Sequence, residues 1–174
     1  MARDKGLPED IFDAIVARLV DQIPEVCTEA NTYQAINPDA VGNNPGDLIF
    51  VVAPLSGNAP EEYQVGGGEE QLTIFGGFLV KIHSPLQMDQ FPQDVHLLKE
   101  KTHGLWKIAR KVLVSLVNWD PQKGDDELLR DPIKFLGFAL GKGPRKKRSL
   151  GSIELHFNLN FDWDITTPES DLSQ

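Results

Sequence analysis

From Ser152 to Ile165 the chain alternates without error. Ile153, Leu155, Phe157, Leu159, Phe161, Trp163 and Ile165 are apolar, and Ser152, Glu154, His156, Asn158, Asn160, Asp162 and Asp164 are polar. A period of two marks an extended strand whose side chains point to opposite faces. A strand this long with one wet face is antiparallel, because parallel strands are covered on both faces and read as continuous apolar runs. The upstream segment "IKFLGFAL" is the expected partner. The two strands make a long C-terminal β-hairpin whose tip is "GKGPRKKRSL", Gly141–Leu150.

The remaining elements fit the same sheet. Pro8 stands at a first-turn position, and Glu9 and Asp10 suit the positive start of a helix. Ile11, Phe12, Ile15, Val16, Leu19, Val20 and Ile23 follow at helical spacing, with Asp13, Arg18 and Asp21 opposite. "LIFVVAP" reads as a buried strand. "QLTIFGGFLVKIH" reads as its antiparallel neighbour, with Gly76 and Gly77 marking a bulge or a close backbone approach. A second helix is expected over Pro92–Val117, with Gly104 a weak point inside it. The order helix, strands, helix, strands predicts an α+β fold: a mostly antiparallel β-sheet with two helices packed on one face. One domain over residues 8–165 is expected, with flexible ends at 1–7 and 166–174.

The chain has 174 residues and a formal net charge of −9, so it does not read as a general nucleic-acid binder. No apolar run is long enough to span a bilayer and no secretory signal is read, so no membrane partner is expected. Cys27 is the only cysteine, which excludes an internal disulfide, and it is expected to be a buried structural thiol. Synthesis in a reducing cytosol fits best.

The sequence offers little catalytic chemistry. "GFALGKGP" lacks the spacing and the Ser or Thr of a phosphate loop. His96 and His103 share a helix face but lie about 10.5 Å apart along it, too far for one ion. Glu154, His156, Asp162 and Asp164 share a strand face on which only neighbours could hold a cation, and a solvated polar face is the expected reading. His83 is expected to have a local role at a strand end. Neither Ser56 nor Ser84 lies in a nucleophile-elbow pattern. No cofactor, metal or catalytic residue is assigned, and the chain is not expected to be an enzyme. Trp106, Trp119 and Trp163 are expected in the core.

The basic tip stands out. Lys142, Arg145, Lys146, Lys147 and Arg148 concentrate positive charge in an acidic chain, and no aromatic residue interleaves them for base stacking. A solvated turn, a phosphate contact and an acidic protein neighbour are all open readings.

The element order resembles the tail-terminator (tail-completion) proteins of tailed bacteriophages. The resemblance rests on the helix over 8–23, "NPGDLIFVVAP", "QLTIFGGFLVKIH", the helix over 92–117 and "IELHFNLNFDWDI". It implies a structural virion protein, assembled in the host cytoplasm, that forms a ring, commonly hexameric. It also implies partners: the tail tube protein, and the head connector or neck protein. DNA would pass through the lumen without sequence-specific binding. A neighbouring neck or head–tail adaptor ring has the same outline. In such a ring the tip could dock on acidic residues of the next subunit, with Glu61, Glu62, Asp125, Asp126 and Glu127 as candidate mates. A small DNA-binding or nuclease-like protein using Asp162 or Asp164 is the competing class.

Overall fold

The computed structural model describes residues 8–39, 48–59, 71–87, 104–123, 126–142 and 150–164. Among these are two helices, α1 (Pro8–Gln22) and α2 (Leu105–Leu116). Seven strands accompany them: β1 (Thr32–Gln34), β2 (Ile49–Pro54), β3 (Gln71–Gln87), β4 (Gln122–Lys123), β5 (Asp126–Glu127), β6 (Phe135–Lys142) and β7 (Leu150–Asp164). Five strands form one sheet in the order β1-β2-β3-β7-β6, and β4 and β5 pair separately. Only β1 with β2 is parallel; β2 with β3, β3 with β7 and β7 with β6 are antiparallel. The fold is a mixed α+β fold with a mostly antiparallel sheet and no closed barrel.

The alternating segment forms β7, and its apolar residues from Ile153 to Phe161 face the core, while the side chain of Trp163 lies outside the described set. Ile153, Leu155, Phe157, Leu159 and Phe161 join Phe50, Val52, Phe78, Val80 and Ile82 in one buried cluster. Ile11, Phe12, Ile15 and Leu19 of α1 and Leu105, Ile108, Ala109, Val112 and Leu116 of α2 complete it. Phe78 stacks on Phe157 with centroids 4.9 Å apart, and Phe12 meets the edge of Phe78. Helix α1 contacts β1, β2 and α2, whereas α2 contacts β3, β7 and α1. The helices therefore divide the sheet, α1 toward the β1 end and α2 toward the β7 side.

Two local features differ from expectation, and a third decides between two open readings. Gly104 is not inside a helix: it is the extended N-cap of α2, so no continuous helix runs through it. The expected residues 92–103 lie outside the described set. At the other end Asn118 adopts φ 61°, the left-handed position that commonly stops a helix. Gly76 and Gly77 mark no bulge, since the β3–β7 register is unbroken there. They permit close approach: a Cβ on Gly77 would lie 2.7 Å from the Phe157 carbonyl oxygen, and one on Gly76 3.2 Å from the Gly57 Cα. Finally, β3 continues through His83 to Gln87 instead of ending at the Ser-Pro pair.

Candidate assembly surface and buried polar cluster

Strand β6 is one edge of the sheet, and its apolar residues are exposed. Register places Phe138 beside Leu155 and Leu140 beside Ile153, so both share the face that the helices cover. Their β7 neighbours are buried, yet Phe138 is 52% exposed and Leu140 51%. Leu136 occupies the register shift between Phe135 and Gly137 and is 66% exposed. Trp106, expected in the core, is 40% exposed instead, and its ring meets Phe138 edge-on at 5.1 Å. The physical reason is the placement of α2, which packs on β7 and β3 with its first turn at the rim of the sheet. Arg110 and Val114, one and two turns on from Trp106, are also exposed.

Strands β6 and β7 pair antiparallel, as the expected hairpin requires. β6 runs to Lys142, which pairs with Gly151 at the start of β7. Arg145, Lys146, Lys147 and Arg148 lie outside the described residues, as do Glu61, Glu62 and Asp125. Asp126 and Glu127 form β5, opposite Lys123 and Gln122 of β4. This small hairpin lies near the far end of β7, where the Arg130 amide donates to the Asn160 carbonyl at 2.8 Å. Gly151 and Asn160 stand nine residues apart on one strand, about 30 Å. Positions 142 and 127 therefore lie toward opposite ends of β7.

The opposite face of the same strands carries a polar cluster that sequence reasoning did not identify. Lys81 is 5% exposed, and its ammonium sits 2.6 Å from an Asp39 carboxylate oxygen and 2.8 Å from one of Glu154. Burial pushes the Lys81 ammonium down, but the two carboxylates outweigh it and its pKa lies above the ordinary value. His156 Nε2 stands 3.4 Å from Glu154. His83, 1% exposed, donates through Nε2 to the Pro38 carbonyl at 2.9 Å. Burial pulls its pKa below the ordinary value, against the opposing effect of that carbonyl. Its Nδ1 and the hydroxyl of Ser152, the residue paired with it on β7, have no hydrogen-bond partner among the described residues. The expected solvated polar face is thus partly buried, with Ser152 buried and Glu154 and His156 half-buried. The missed signal was Lys81, a lone charge in the apolar alternation of β3.

The remaining expectations divide. Cys27 is buried, and burial raises its thiol pKa to about 12, so it is inert. Trp119 is half-buried at the margin of the core, with the Arg18 guanidinium 5.3 Å from its ring centroid. Asp162 accepts a hydrogen bond from the Thr73 hydroxyl at 2.7 Å and stands 3.6 Å from the Arg130 guanidinium. Arg130 also donates to Thr73 at 2.9 Å. Among the described residues no group of three His, Cys, Asp or Glu could hold a metal, and no helix is long and apolar enough to cross a membrane. The sequence matches no protein-family model and no curated protein.

Proposed function

We propose that this chain is a structural virion subunit of a tailed phage, a ring-forming tail terminator that caps the tail tube and joins it to the head connector. The observation that carries the reading is the edge strand β6, which has β7 as its one strand neighbour among the described residues, with Leu136, Phe138 and Leu140 exposed in the sequence order that leads to the basic tip. A long exposed apolar edge invites pairing with another chain, and soluble proteins ordinarily blunt or cover it. An assembly subunit has a use for such an edge. The layout agrees: β6 and β7 form one side of a sheet whose helices share one core. A neck or head–tail adaptor ring is the same proposal one position along the virion.

The nuclease-like reading receives less support. Asp162 is engaged by Thr73 and Arg130, and a carboxylate so held is less available to coordinate a cation.

Mass photometry across concentration, followed by negative-stain imaging, tests the proposal. Closed rings with a central hole are expected. Magnesium-dependent cleavage of DNA by a strictly monomeric protein would overturn it.

A further inference from the structure

The two edges of the sheet differ in chemistry, and the difference is complementary. At the β6 edge, Leu136, Phe138, Leu140 and Trp106 are exposed, and Lys134 and Lys142 bracket the strand. Helix α2, "LWKIARKVLVSL", has no acidic residue; its Arg110 is exposed one turn on from Trp106, while Lys111 pairs with Glu25 on the α1 side. At the β1 edge the balance reverses. Helix α1, "PEDIFDAIVARLVDQ", contains Glu9, Asp10, Asp13 and Asp21 and only one base, Arg18. Arg18 is turned toward α2, where its Nε donates to the Ser115 carbonyl at 3.3 Å and its guanidinium sits over Trp119. Asp13 accepts a hydrogen bond from the Gln34 side chain of β1, which fixes an acidic group at the rim. Just beyond β1, Ile36 is 91% exposed.

Lysines at a sheet edge can serve only to repel other edges. Here they stand at both ends of β6, and the residues between them that face the helix layer are large and apolar. That arrangement suits a bounded strip for one partner better than a blocked edge. The strip is also rich in the residue types, Trp, Phe and Arg, that dominate the centres of protein interfaces.

We infer that the β6 edge of one copy docks against the β1 edge of a second copy of this chain, with Phe138 and Leu140 covering Ile36 and the basic flank facing the acidic α1 flank. The two surfaces differ and lie at opposite ends of one sheet. Their contact is heterologous, so it propagates from copy to copy and closes into a ring when the rotation permits. The opposite signs of the flanks set the direction of docking and disfavour β6 against β6, which would bring like charges together. The inference rests on the ring-forming reading above and names the surfaces that make the ring.

Cysteine cross-linking tests it. Ile36→Cys and Phe138→Cys are both at exposed positions, and the native Cys27 is buried with its thiol pKa raised to about 12, so it does not compete. Circular dichroism verifies that each variant folds. Under mild oxidation, a mixture of the two variants is expected to give about tenfold more disulfide dimer than either alone, because docking raises the local thiol concentration. Cross-linking of Phe138→Cys alone would overturn the inference in favour of a two-fold β6–β6 contact. Rings without the mixed cross-link would overturn the inference and leave the ring reading standing. Monomers only, with no cross-link, would overturn the inference and remove self-assembly as support for the ring reading.

Discussion

The β3–β7 centre of the sheet and its β6 edge invert the usual distribution of polarity. In the centre, Lys81, His83 and Ser152 are buried on one face. At the edge, Leu136, Phe138 and Leu140 are exposed. Exposed leucines scattered singly mean little, whereas a buried charge or a contiguous exposed apolar strip is informative. The two inversions have different causes. The buried polar groups are mostly compensated internally: Lys81 by two carboxylates, His83 by a carbonyl. The exposed apolar groups have no such compensation within the described residues beyond the contact of Trp106 with Phe138. The centre therefore bears on stability, and the edge on assembly.

The largest effect expected from this contrast is at Lys81. Lys81→Ala leaves Asp39 and Glu154 facing each other, and should cost about 3 kcal/mol in urea unfolding. A fully buried pair would cost more, since both carboxylates retain some access to water. Oligomeric state at matched stability should not change. Gly77→Ala comes next, at about 2 kcal/mol, because the new methyl group meets the Phe157 backbone and not a yielding side chain.

Phe138→Asp sharpens the comparison from the other side, because it puts a charge into the apolar strip and against the acidic α1 flank, which the small apolar thiol of Phe138→Cys does not. Its residue is half-exposed, so stability should fall by no more than about 1 kcal/mol, while assembly measured by mass photometry should be lost. A large loss of stability with assembly intact would reverse the roles assigned to centre and edge.

The smallest effect is a pH dependence. The folded-state pKa of His83 is lowered from 6.5, so the unfolded chain takes up a proton first as pH falls. Stability should decline as pH drops below about 6.5, and His83→Gln should flatten that part of the curve in a pH series of urea midpoints. The Lys81 pKa is raised from 10.5, so its contribution is full below that value and is lost as pH rises through the folded-state pKa.

Much of the frame was legible because it rests on local pattern. The alternation around Phe157 located β7, the apolar run after Leu48 located β2, and Pro8 with its acidic first turn located α1. What escaped depends on long-range placement. Strand β1 is three residues long and pairs in parallel with β2, too short for a period to register. Trp106 lies on the apolar side of its helix by spacing, yet it is half-exposed because that helix lies at the rim of the layer. Lys81 could be seen as odd in a strand, but its partner Asp39 comes from a turn 42 residues away, which no local pattern reports. Of the candidate site, the hairpin was readable and led to the exposed edge. The exposure itself was not, because "FLGFAL" reads the same whether its apolar side is covered or bare.

The most direct test of the central claim is hydrogen exchange at the outward-facing amides of β6, from Leu136 to Leu140, in dilute and in concentrated protein. The account predicts fast exchange when dilute and clear protection when concentrated, while the centre of β3 around Val80 is protected in both. Equal exchange along β6 at both concentrations, in a sample where larger species are present, would contradict it.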